Sequence, residues 1–194
     1  MVVPYLYSRR KRALDVVLSG GALLVAAPVI ALAALAVRLE SPGHPFYRQH
    51  RVGQDGHGFE VIKLRTMVSG AERIGAGLAL DAGDDRITRV GKWLRRTSVD
   101  ELPNLLNIAR GEMSLVGPRP LILEEDAHVL EWARKRLDLK PGITGLWQVL
   151  GRSDIPFDEM TKLDYVYVTN WSLREDIRLV LLTIPSLLRP RRAF

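Results

Sequence analysis

Read by its hydrophobic and polar positions alone, the chain opens with charge, passes into an unbroken apolar run and then settles into short amphipathic segments. From Val16 to Val37 it reads VVLSGGALLVAAPVIALAALAV, with no ionisable residue. As a helix rising ~1.5 Å per residue this run would measure about 33 Å, close to the ~30 Å hydrocarbon thickness of a bilayer. A cleaved signal peptide fits less well, because its apolar stretch is usually ~7–15 residues long. Pro28 lies near the middle of the run. Inside a helix, proline removes a hydrogen-bond donor and clashes with the preceding turn at a cost of ~3 kcal/mol, so a bend is expected there. Basic residues stand on both sides, Arg9, Arg10, Lys11 and Arg12 before it and Arg38, Arg48, Arg51, Lys63 and Arg65 after it. The positive-inside preference draws both flanks to the cytoplasmic side, which a single span cannot satisfy. Each half of the run would reach roughly 15–18 Å, about mid-bilayer. The favoured reading is a re-entrant, proline-bent membrane helix within residues 1–40, with a bitopic span as the alternative. Backbone groups freed at Pro28 need partners inside lipid, and Ala27 before it offers none.

Beyond this segment SPGHP, residues 41–45, interrupts the pattern, and FYRQHRV and GFEVIKL follow, joined through GQDGHG. They read as a small β-hairpin that gathers Arg48, Arg51, Lys63 and Arg65. Residues 71–85, AERIGAGLALDAGDD, form a glycine-rich connection with one helical turn at its start. The Gly75 and Gly77 pair lacks the third glycine and the β-α context of a dinucleotide fingerprint. Helical periodicity recurs over 87–94, 102–108, 121–137 and 158–167, with loops at 110–120 and 139–152. The last segment, 172–194, carries an apolar face of Ile177, Val180, Leu181, Ile184 and Leu188, followed by Arg189, Arg191 and Arg192. Packing on the core and lying in the membrane interface are both open for it. The predicted fold class is α+β, mostly helical. It comprises one membrane-associated domain with the re-entrant helix, the hairpin and interfacial amphipathic helices, residues 41–194 forming the part beyond that helix.

Composition narrows the chemistry. A formal charge of +6 favours an anionic partner, which charge alone leaves open among nucleic acid, acidic lipid and a phosphorylated small molecule. No nucleic-acid-binding motif is present, so nucleic acid is not expected as a partner. The chain has no cysteine, which excludes disulfides, thiolate nucleophiles and cysteine-based zinc sites. His44, His50, His57 and His128 show no metal-ligand spacing.

The candidate chemistry lies in TSVDELPNLLNIARGEMSLVGPRP, residues 97–120. Proline is tolerated early in a helix, so Pro103 makes Ser98 or Asp100 the expected N-cap and puts Glu101 in the first turn. Ser98 and Glu101 also fit the spacing of a capping box, a structural explanation for the same residues. A helix start carries about half a positive charge and free N–H donors, so it could hold a phosphate beside Asp100, with Arg95 and Arg96 just upstream. Gly117, Pro118, Arg119 and Pro120 form a stiff turn that can present a guanidinium to phosphate oxygens; an exposed arginine in an ordinary turn fits equally well. Two carboxylates beside a phosphorylated substrate imply Mg2+, which needs only one or two protein carboxylates.

Three stretches together, FYRQHRVG with GHGFEVIKLRTM, DRITRVGKWLRRTSVDELPNLLNIARGEMSLVGPRP and KPGITGLWQVLGRS, resemble the bacterial sugar transferases, the small monotopic phosphoglycosyl transferases. The resemblance covers nearly the whole chain in order. It implies an enzyme on the cytoplasmic face of the bacterial inner membrane that moves a sugar 1-phosphate from a UDP-sugar to undecaprenyl phosphate and releases UMP. Among membrane lipids, that carrier is the acceptor. The resemblance implies Asp100 as nucleophile, forming a covalent phosphosugar, with Glu101 positioning Mg2+ or substrate. Lys63, Arg65, Arg86, Arg96, Arg119 and Arg152 are the implied phosphate contacts. Pro118, Pro120, Thr144, Gly145, Trp147 and Gln148 are the implied nucleotide or sugar pocket, with Trp147 either stacking or filling core. The chain departs from the family pattern at Ala27, where serine is frequent before the membrane proline, and at Leu64, where phenylalanine is frequent. The compact family members lean toward N-acetylated amino sugars. Read without the resemblance, the residues also fit a tethered basic binding surface or an adaptor without turnover.

Overall fold

The computed structural model describes residues 4–71, 84–151 and 155–188. The first element is a helix, α1 (Pro4–Glu40), continuous through Pro28. Its domain-facing side is a single stripe, Lys11, Asp15, Ser19, Ala26, Ala33 and Val37, all buried and spaced by four or seven residues, as a helix face requires. The opposite side exposes Val17, Leu24, Val25, Val29, Leu32 and Leu39. Over Arg9–Glu40 the helix is long and apolar enough to cross a membrane.

Both ends of α1 are tied to the rest of the domain. Near its start, Arg12 donates to the carbonyls of Ile108 and Ala109, at the C-terminal end of α3 (Asn104–Arg110). At its end, Glu40 accepts from the amides of Arg89 and Val90 at 2.8 and 3.0 Å, the first turn of α2 (Arg89–Thr97). Each contact satisfies helix-terminal groups that have no partner within their own helix. Between them, Ala26 packs with Val61, Leu105, Ile108 and Met113, and Ala33 and Val37 pack with Leu64 and Leu94. The N-terminal half is held by polar groups: Lys11 pairs with Asp176 at 2.6 Å, and Asp15 accepts from Ser114 Oγ at 3.1 Å and Leu115 N at 3.0 Å.

The expected hairpin is present. β1 (Phe46–Val52) pairs antiparallel with β2 (Gly58–Leu64) in register from Phe46 opposite Leu64 to Val52 opposite Gly58. The regions read as loops hold a second, parallel pair, β3 (Ser114–Val116) and β4 (Gly142–Thr144). The helix expected over 121–137 is instead a single turn, α4 (Leu123–Asp126), followed by a 3-10 segment, Glu131–Asp138. Tertiary packing overrides local propensity there. Leu121, Val129 and Ala133 go under Trp147 and Met160, and Asp126 lies 3.6 Å from Arg136, both buried. α5 (Leu146–Leu150), α6 (Phe157–Thr169) and α7 (Leu173–Leu188) complete the fold. α7 buries Asp176 and Leu179 while Ile177, Leu181 and Ile184 stay exposed, so it packs on the core and still presents an apolar face. Residues 72–83, with Gly75 and Gly77, and 189–194, with the terminal arginines, lie outside the described residues.

Candidate active site

Asp100 and Glu101 do not begin a long helix. Ser98 adopts the left-handed conformation, φ 60°, and ends α2, its amide donating to the carbonyls of Arg95 and Leu94. A 3-10 turn, Val99–Glu101, follows, with no side-chain cap. Pro103, at φ −61°, then leads into the seven-residue α3. The expected N-cap and capping box are therefore absent, because the chain spends residues 98–103 turning between two helices. The helix-dipole argument lapses with them, since α3 starts only at Asn104. What the turn achieves is placement. Asp100 is buried within the field of half-buried Arg95, whose guanidinium burial pulls below its usual pKa while Asp100 and Asp84 oppose that shift. Arg95 Nε donates to Thr66 Oγ1 at 2.9 Å, which holds it beside the end of the hairpin.

Glu101 is fixed by Lys63 of β2 at 3.0 Å. In the hairpin register Lys63 lies opposite Tyr47, so Tyr47, Gln49 and Arg51 share its face. Arg51 connects the carboxylate turn to the proline turn. It donates to Pro120 O at 3.1 Å and lies 3.5 Å from Glu125. Burial pulls its pKa down, with Glu125, Tyr47 and Glu101 opposing and Arg119 reinforcing that shift. Arg51 was not among the expected site residues, although strand parity from Lys63 leads to it.

The proline turn is built on β3 and β4. Gly117 N donates to Thr144 O at 3.0 Å, and Gly142 N to Pro118 O at 2.9 Å. The approach is closed to any side chain: a Cβ on Gly117 would lie 2.3 Å from Lys140 O, and one on Gly145 2.3 Å from Gly117 O. These glycines press residues 117–120 and 140–145, two separate motifs, into one surface. On it, the Arg119 guanidinium lies 4.4 Å over the ring of buried Trp147.

A profile of the bacterial sugar transferase family matches residues 6–190. The chain belongs to that family. It is 45% identical over 194 residues to a UDP-glucose:undecaprenyl-phosphate glucose-1-phosphate transferase of Caulobacter vibrioides, the match covering 95% of this chain and 72% of that protein. It is 38% identical over 202 residues to the exopolysaccharide production protein ExoY of Rhizobium meliloti, covering 95% and 88%. It is 36% identical over 198 residues to an undecaprenyl-phosphate galactose phosphotransferase of Salmonella typhimurium, covering 95% of this chain and 41% of that protein.

Within this sugar transferase the expected site residues divide. Asp100, Glu101 and Lys63 come together, and Arg51 relates them to Pro118, Arg119 and Pro120. Arg65 is buried and donates to the carbonyls of Pro42 at 2.6 Å and Ser41 at 2.8 Å, so it braces the chain after α1. Arg86 is paired with Asp84 at 2.6 Å, and Arg96 is exposed on α2. Arg48, expected near Arg51 and Lys63, lies on the other face of the hairpin, 3.4 Å from Glu60. Thr144 bonds Thr183 of α7 at 2.7 Å, and Gln148 donates to Ile143 O at 2.7 Å, so both support the turn around Gly145. Ala27 and Pro28 are exposed, on the side of α1 away from the domain. Arg152 lies outside the described residues. Among the described residues no three His, Asp or Glu side chains gather as a metal cage.

Proposed function

We propose that this sugar transferase moves a sugar 1-phosphate from a UDP-sugar to undecaprenyl phosphate at the bacterial cytoplasmic membrane. An Asp100 oxygen attacks the sugar-bearing phosphorus, and the bond to the UMP oxygen breaks with its electron pair leaving on UMP. A phosphate oxygen of the polyprenyl carrier then attacks the same phosphorus, freeing the Asp100 carboxylate and yielding the polyprenyl diphosphosugar. Lys63 holds Glu101 in place, and Arg119, on its two-proline turn, supplies a fixed positive charge for the developing phosphate charge. Arg96, exposed on α2, offers further positive charge, whereas the charge of Arg86 is neutralised by Asp84. The donor set fits Mg2+: adjacent carboxylates Asp100 and Glu101 would hold it, leaving its remaining positions to water and phosphate oxygens, and it would neutralise the diphosphate. The observation that carries the reading is the buried Asp100 beside Arg95 and the Lys63–Glu101 pair, in a chain of this family.

The names of the relatives, glucose and galactose transferases, favour a neutral hexose over an N-acetylated amino sugar as the cargo. For the membrane helix, re-entrance from the cytoplasmic face is supported by its attachments. Arg12 and Glu40, about 42 Å apart along a helix, both bond to one folded body, so a crossing helix would draw that body into the bilayer.

The test is a single-turnover experiment with detergent-solubilised protein, Mg2+ and UDP-glucose or UDP-galactose, without acceptor. Intact mass should rise by one hexosyl phosphate mapped to Asp100, with equimolar UMP. Asp100→Asn should stay folded and form neither product. UMP release by that variant, or an adduct on another residue, refutes Asp100 as nucleophile.

A further inference from the structure

We propose that Asp164 and Arg136 are positioning residues for Arg119, gripping its main chain from both sides so that its guanidinium is held over Trp147. The inference rests on the function proposed above and extends it to residues outside the family motifs quoted earlier.

Between Pro118 and Pro120, Arg119 contributes the sole backbone N–H, because proline has none. That N–H donates to Asp164 Oδ2 at 3.2 Å. Its carbonyl accepts from Arg136 Nη2. Arg136 also donates to Asp164, from Nε at 3.2 Å and from Nη2 at 3.0 Å. The two groups that fix the turn are thus fixed to each other, and they come from the 3-10 segment before β4 and from α6, far from the turn in sequence. Asp164 and Arg136 are 1% and 2% exposed.

A buried ion pair is a poor source of stability, since well-packed apolar residues of similar volume often serve as well or better. It is effective at imposing one geometry, and here both charges converge on the backbone of a single residue. The guanidinium end is placed independently by the Trp147 ring at 4.4 Å. Backbone and head group are both held, so little conformational freedom remains to be lost when a phosphate is bound. Through Pro120 O the same turn also seats Arg51.

The test uses the full-length protein in detergent with UDP-glucose and undecaprenyl phosphate. Four proteins are compared: wild type, Arg119→Ala, the apolar replacement Asp164→Leu/Arg136→Met, and the triple variant. The apolar pair should fold and lose about 100-fold in kcat/KM for UDP-glucose, as expected for a misplacement of order 1 Å. The triple variant should be no worse than Arg119→Ala, because all three substitutions remove one function. Wild-type kinetics in the folded apolar pair, or losses that multiply in the triple variant, overturn the proposal. Arg136→Lys keeps the charge opposite Asp164 but replaces the fork with a single ammonium; it should show the same loss while remaining folded, and wild-type kinetics there would equally overturn the proposal should the apolar pair fail to fold. Amide exchange at Arg119 reads the grip without substrate. It should be slow in wild type and on the order of 100-fold faster in Arg136→Lys. Equal exchange in both refutes the grip. Slow wild-type exchange with no UMP release from any UDP-sugar refutes the proposed function and leaves the grip standing.

Discussion

Replacing Gly117 by alanine tests the joint between β3 and β4 in a way that can be calculated from the structure. Its φ lies outside the left-handed range that disfavours a side chain, so the effect of alanine there is chiefly steric. The added Cβ would stand 2.3 Å from Lys140 O, 2.7 Å from Gly142 N and 2.9 Å from Pro141 C. All three are backbone atoms and cannot rotate away. An ordinary carbon-to-oxygen approach is about 3.3 Å, so the two segments must part by roughly 1 Å. That would loosen the bonds from Gly117 N to Thr144 O and from Gly142 N to Pro118 O. Overpacking of about 2 kcal/mol, within the usual range for an inserted methylene, lowers Tm by roughly 4–8 °C for a chain of this size. The displaced turn carries Arg119, and a 1 Å misplacement costs about 100-fold in rate. The assay pairs thermal unfolding in detergent with UMP release. Gly21→Ala serves as control, because nothing lies within 4 Å of its Cβ. Wild-type turnover in Gly117→Ala would show that the contact between residues 117–120 and 140–145 does not hold the site.

Lys11→Met leaves Asp176 buried without its cation at 2.6 Å, although Tyr167 and Trp171 still donate to it; stability should fall by about 3–5 kcal/mol, read by denaturant unfolding, while Lys11→Met/Asp176→Leu recovers most of it. Burial raises the Asp164 carboxyl to about 6, above an unfolded value of ~3.9. The folded state therefore holds the extra proton between these values, and this group's contribution to stability falls as pH rises through that window, by about 1.4 kcal/mol per unit. Asp164→Asn should remove that slope from Tm measured between pH 4 and 6, and an unchanged profile would refute the assignment.

The parts of this fold legible in sequence were those with a local signal. Two short runs joined through a glycine-rich turn defined the hairpin and its strands, and the apolar run defined the long N-terminal helix. The motif carrying Asp100, Glu101 and Arg119 stands out in the sequence, but the helix start expected around the first two is replaced by a 3-10 turn. A non-glycine residue at positive φ, Ser98, ends one helix where a cap for the next was expected, and nothing in the local pattern marks it. β3 and β4 are three residues each, too short to show a period, and their signal was the spacing of Gly117, Gly142 and Gly145, which reads as turns until the two segments are seen to touch. Arg65 resembled a phosphate ligand because its charge is visible in sequence and its partners, two backbone carbonyls, are not. The stripe from Lys11 to Val37 was obscured for a related reason: Lys11 was counted as one of a positive flank, and Ser19 and the apolar members vanish in an apolar run.

The attachments of α1 bear on any attempt to work with this enzyme in water. Cutting away the first forty residues would not release a soluble catalytic unit. It would expose the underside of Val61, Leu64, Leu94 and Ile108, leave the amides of Arg89 and Val90 and the carbonyls of Ile108 and Ala109 to find other partners, and strand Asp176. What looks in sequence like a dispensable anchor is one wall of the building, and solubility has to be sought by recoating its outward apolar face.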